Sequence, residues 1–156
     1  VFMHDMQVAQ ISDHACEILD EFVNVETAQR MEPPTLPADE EVIATCVCAR
    51  ANGLARDLGK FTVASQSCVF LPVNGSGRGV LYKTMTSTKR MPQLRPFGWK
   101  NADIIIPIRH YEEPVLRLTG MTLVEAQSVF DALMSAITAY NHLQDLGRQK
   151  RERTAE

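Results

Sequence analysis

Apolar residues in the first part of the chain recur at spacings of three and four. From Asp5 to Met31 they are Val8, Ile11, Ala15, Ile18, Phe22 and Val25, with Asp13, Glu17, Asp20 and Glu21 between them. That is the stripe of an amphipathic helix. Pro33-Pro34 ends it, because proline lacks a backbone donor and disfavours helical geometry in the residue before it. A second helix is expected from Pro37 to Asp39 onward, ending at Gly59. Asp39, Glu40 and Glu41 suit a helix N-terminus, and Ile43, Val47, Ala51, Leu54 and Leu58 continue the spacing.

Past Gly59 the period changes to two. Phe61 to Leu71 is rich in β-branched and aromatic residues, and Val80 to Thr88 alternates Val80, Tyr82, Thr84 and Thr86 against Leu81, Lys83 and Met85. These are expected to be two strands of a hairpin joined through Asn74 to Gly79, whose three glycines permit a tight or bulged turn. A glycine-rich turn holding Arg78 can also cradle a phosphate, but it lacks the Gly-Lys-Ser/Thr ending of a nucleotide-binding loop. Lys89 to Asn101 is a proline-punctuated loop. Ala102 to Arg109, with Ile104, Ile105 and Ile106, is a strand covered on both faces in its first half, until Pro107 disrupts it. The chain turns at His110 to Pro114 and returns as Val115 to Thr119, a second hairpin. Thr122 followed by Glu125 is a capping-box signature for a last helix. Its apolar side is Ala126, Val129, Phe130, Leu133, Ile137, Tyr140 and Leu143 or Gln144.

The expected fold is therefore α+β: two N-terminal helices, a four-stranded, mainly antiparallel sheet of two hairpins, and a long C-terminal helix. Residues 1–146 would form the domain and 147–156 a flexible charged tail, since only Ala155 is apolar there.

Composition adds little to this picture and removes some classes. The 156 residues are 45% hydrophobic and 22% charged, ordinary for a globular domain, and no apolar run approaches the roughly 18 residues of a membrane-spanning helix. A core of this size needs no disulfide or metal to hold it. Cys16, Cys46, Cys48 and Cys68 are thus expected as small hydrophobes in a reducing, cytoplasmic compartment. Cys46 and Cys48, placed on a helix, would diverge, and their spacing matches no zinc site.

Charge changes the picture more. Residues 1–60 carry 4 basic and 11 acidic side chains, residues 61–120 carry 8 and 3, and residues 121–156 carry 4 and 5. An anionic partner should meet the middle segment, unless the acidic helices themselves lie against it. The Lys89 to Asn101 loop sets Lys89, Arg90, Arg95 and Lys100 around Phe97 and Trp99, combining phosphate neutralisation with stacking surfaces. The same aromatic residues could instead anchor the loop inward.

Three functional readings follow. The first is a non-enzymatic, oligomeric binding module for an anionic partner, nucleic acid or nucleotide-like. Arg78, Lys89, Arg90, Arg95, Lys100 and Arg109 would supply charge, and Phe97 and Trp99 stacking. The second is a structural or protein-interaction subunit of a homo-oligomer, with the weakly charged face of the last helix in contact. The third is a small hydrolase or transferase with His110 as general base and Arg109 or Arg117 holding substrate. No nucleophile elbow, HExxH or CxxC motif is present, and neither a metal nor a cofactor is expected.

Overall fold

Between Val42 and Ala64 the chain is a hairpin, not the second helix that its three-four spacing suggested. The computed structural model describes residues 25–32, 36–108 and 115–155. Strands β1 (Val42–Asn52) and β2 (Ala55–Ala64) pair antiparallel over their whole length. Small and β-branched residues alternate along β1, so the same apolar set that fits one side of a helix fits the two faces of a strand. The turn is Gly53-Leu54, and Gly53 has φ +61° while Leu54 does not have a positive φ, the type II′ geometry that matches strand twist. Gly59 is no helix stop. It lies opposite Pro72 of the neighbouring strand, and a Cβ there would run into the Leu71 carbonyl oxygen and approach the Pro72 Cα to 2.6 Å.

The expected Phe61 to Leu71 strand is two elements. β2 ends at Ala64, Ser65-Gln66 turns the chain, and β3 (Ser67–Pro72) runs back beside it. The Asn74 to Gly79 connection does join two strands, β3 and β4 (Arg78–Leu81), with Phe70 opposite Arg78. From Tyr82 the Thr-rich alternation gives way to helix α1 (Tyr82–Thr88). Packing decides this: Tyr82 and Met85, three apart, are both buried, and the Tyr82 hydroxyl donates to the Ala64 carbonyl at 2.7 Å. The Tyr82 ring also meets Tyr140 edge-on at 6.0 Å between centroids.

Lys89 to Asn101 is not a structureless loop. It contains β5 (Gln93–Phe97), and the turn after it leads into β6 (Asn101–Pro107). Pro107 is the last residue of β6, which leaves Ile104 and Ile106 fully buried ahead of it. β7 (Val115–Thr122) pairs with β6, the expected second hairpin. Its alternation is reset by a bulge at Gly120, φ +80°, so that Leu116, Leu118 and Met121 all face inward.

The seven strands make one antiparallel sheet in the order β4-β3-β2-β1-β7-β6-β5, where the sequence suggested four. Helix α2 (Leu123–Ala155) lies across its inner face, burying Ala126, Val129, Leu133, Ala136 and Ile137 against Phe61, Phe70, Ile104 and Leu118. The Thr122 hydroxyl accepts the Glu125 backbone N–H at 3.2 Å, the cap that the sequence signalled. The helix does not stop at Leu146: residues 147–155, expected as a flexible tail, are helical. On the outer face residues 25–30 are helical, held by Lys60, whose ammonium donates to the carbonyls of Gln29 (3.2 Å) and Met31 (3.0 Å). The rest of the expected N-terminal helix, with Cys16, and the His110 to Pro114 turn lie outside the described residues.

Gly59→Ala should destabilise the protein by about 3 kcal/mol, because the obstacle is backbone and cannot rotate away. Urea unfolding of this variant beside Gly53→Ala, where a Cβ meets nothing within 4 Å and only the positive φ opposes it, checks the steric cause.

Candidate functional site: the β5–β6 hairpin

β5 is an edge strand, and its sequence Gln93-Leu94-Arg95-Pro96-Phe97 shows what an edge requires. Leu94 faces inward and packs on the core from the last position of the sheet. Pro96 has no backbone donor and is tolerated because nothing pairs outside it, which also blunts the edge against a further strand. Gln93, Arg95 and Phe97 alternate onto the outer face. The closing pair is Phe97 opposite Asn101, and the three-residue turn Gly98-Trp99-Lys100 begins with φ +64° at Gly98. The tip is fixed to the start of α2, since the Leu123 N–H donates to the Lys100 carbonyl at 2.7 Å and Asn101 lies opposite Thr122.

Trp99 does not fold inward. It is 84% exposed and Phe97 66%, so neither anchors the hairpin to the core. The Lys100 ammonium lies 4.8 Å from the centre of the Trp99 ring, a cation–π contact on one face of the indole. Val124, in the first turn of α2 beside the tip, is 80% exposed. Nothing in the sequence singled it out, because exposure at a helix start is set by what the preceding strand packs against.

The charges here are not mutually cancelled. Asp103 of β6 is buried and lies opposite Arg95, yet its carboxylate is taken by Arg117 of β7, whose Nε and Nη2 donate to Oδ2 at 3.0 and 2.8 Å. Arg95 is left with a 3.3 Å hydrogen bond to the Gln93 side-chain oxygen. Arg117 is therefore engaged in a structural pair, where the enzymatic reading had it hold substrate.

The structure brings together Arg95, Phe97, Trp99 and Lys100. Lys89 and Arg90 are exposed in the connection from α1 to β5, at the opposite end of β5 from the tip. Arg78 does not join them. It opens β4, the far edge in the strand order, opposite Phe70, whose ring is also 5.6 Å from the Arg50 guanidinium. Arg109 and His110 are outside the described residues.

Cys46 and Cys48 share one face of β1, whereas a helix would have splayed them apart. The half-buried Cys46 thiol is lowered by its hydrogen bond with Cys48, and burial pushes Cys68 up to about 12. Among the described residues no three His, Cys, Asp or Glu side chains gather as a metal site, and no helix is long and apolar enough to cross a membrane.

No protein-family model matches the chain, and no curated protein matches it. Among solved structures the chain is similar to the C-terminal domain of an unknown protein from Leishmania infantum, with a TM-score of 0.43 and 15% sequence identity. The alignment covers 65% of this chain and 87% of that one.

Arg117→Ala should cost about 1–3 kcal/mol by leaving the buried Asp103 carboxylate without its donor, while Arg95→Ala alone should be nearly neutral. With both removed, the loss should exceed the sum, since Arg95 is the neighbour able to turn to Asp103. A double-mutant cycle in urea measures the excess, and strict additivity would show that Arg95 never reaches Asp103.

Proposed function

We propose that this protein is a non-enzymatic binding module that takes an anionic, ring-bearing partner, single-stranded nucleic acid or a nucleotide-like molecule, on its β5–β6 hairpin. One observation carries the reading: Trp99 is almost fully exposed with Lys100 on one face of its ring, so the other face is open to a stacked base while the ammonium stands ready for a phosphate. The composition of the hairpin supports it, because residues 89–101 hold four basic side chains and no acidic one. Phe97 offers a second ring two residues away, and Arg95 is a guanidinium fork with no carboxylate partner among the described residues. Lys89 and Arg90 extend the positive charge along the same edge, as a strand of phosphates would need. Arg78 is not part of this surface.

Base stacking on an exposed tryptophan contributes about 1–3 kcal/mol, so Trp99→Ala should weaken binding of a mixed single-stranded oligonucleotide roughly tenfold or more. Arg95→Ala with Lys100→Ala should lower the salt slope by about 1–1.5, two phosphates at roughly 0.7 each. Fluorescence anisotropy across a salt series reads both effects. Unchanged affinity and slope in the two variants would reject the hairpin as the binding surface.

A homo-oligomeric assembly is the second reading, favoured by the distal half of α2. Buried residues on α2 end at Ile137, and beyond Tyr140 the helix carries Leu143 (65% exposed) and Leu146 (48% exposed) on an otherwise polar surface. Under this reading Leu143→Glu with Leu146→Glu converts an oligomer to a monomer in sedimentation velocity. A wild-type chain that is monomeric at tens of micromolar removes it.

A further inference from the structure

The sheet comes apart in its middle. β1 pairs with β2 from Val42 to Asn52, and β7 pairs with β6 through Thr122, but β1 and β7 are joined only at Ala49 opposite Thr119 and Arg50 opposite Leu118. On one side the ladder stops next to the Gly120 bulge, φ +80°. A cavity of about 650 Å³ lies at this wedge, within the size range of small-molecule sites. Cys48 reaches it from the inner face of β1, and Val47, Ala49 and Leu58 from the outer face. Val25 and Gln29 close it from the helical residues 25–30, the segment that Lys60 clamps to the sheet.

The walls sort by chemistry. Val25, Val47, Ala49 and Leu58 give an apolar floor, and Gln29, Arg56 and Glu125 are polar points on the margin. The Glu125 carboxylate sits in the first turn of α2, where the positive end of the helix favours it. Asp57, the neighbour of Arg56, is taken by Arg50 at 2.9 Å, and Arg56 forms no ion pair among the described residues. Among the described lining residues Arg56 is thus the cationic group left to meet a ligand.

We propose that this wedge is a binding site for a small amphipathic anion, a medium-chain carboxylate in chemical class. The apolar body lies on Val47, Ala49 and Leu58, and the head group meets the Arg56 guanidinium, with the Gln29 amide as a second donor. Lys60 acts as a positioning residue that holds the outer wall in place. The site is separate from the β5–β6 hairpin and stands or falls without it.

Isothermal titration with sodium decanoate tests the assignment. The expected result is saturable one-to-one binding that weakens about tenfold or more in Arg56→Ala, the loss of a hydrogen bond to a charged group. Arg56 is exposed, so this variant keeps its fold. Val47→Phe, which fills the floor, should abolish binding, with an unchanged circular dichroism spectrum as the control. Trp99→Ala should leave decanoate binding untouched even if it removes oligonucleotide binding. Absence of saturable binding by the wild-type chain overturns the site, as does equal affinity in wild type and Arg56→Ala. Tighter binding of decyltrimethylammonium than of decanoate overturns the anionic assignment.

Discussion

The structure depends on one burial: the inner face of a seven-stranded sheet sealed chiefly by α2. Phe61, Phe70, Ile104, Ile106, Leu116 and Leu118 come from four different strands, and none of them finds a partner within its own hairpin sufficient to exclude water. The row Ala126, Val129, Leu133, Ala136 and Ile137 of α2 supplies it. Each fully buried aliphatic or aromatic side chain contributes about 1.5–3 kcal/mol, so hairpins that would be marginal alone become one cooperative unit. The α1 segment obeys the same demand. Its Thr-rich sequence favours a strand, but Tyr82 and Met85 are buried only if the chain turns helical after Leu81.

Once that face is sealed, what remains outside is set by local irregularities. Gly98 makes a turn that lifts Trp99 away from the body, and Pro96 keeps the adjoining edge from recruiting another strand. Gly120 bulges β7 and keeps Met121 in the core, and the short ladder between β7 and β1 ends beside it. The hairpin tip and the wedge therefore arise from departures from regular pairing, at positions where a regular ladder would have left neither a projecting ring nor an opening.

Electrostatics divides the basic residues into two groups. Arg50, Lys60 and Arg117 are bound to Asp57, to backbone carbonyls and to Asp103, and their charge is spent on holding strands and the residue 25–30 helix together. Arg95 and Lys100 are directed at solvent and a ring face. A count of charge along the chain gives both groups equal weight. The difference lies in which carboxylate each guanidinium can reach.

Local chemistry written in consecutive residues was legible from the sequence alone. The Thr122 cap, the start of the last helix and most of its buried face, the strand around Ile104, and the glycine-rich connection from Asn74 all rest on interactions within a few residues. Of the group Lys89, Arg90, Arg95, Phe97, Trp99 and Lys100 read from the sequence as one loop, the last four lie together because they belong to one hairpin, while Lys89 and Arg90 precede it. What only the tertiary structure decided was the state of segments whose pattern fits two periods. Ile43, Val47, Ala51, Leu54 and Leu58 satisfy a helix, but β1 and β2 can fill the centre of the sheet only as strands. Tyr82 to Thr88 satisfies a strand, but the core accepts it only as a helix. The position of Arg78 on the opposite sheet edge, the exposure of Val124 and the wedge beside Gly120 were likewise settled by strand order, a long-range property that no window of sequence contains.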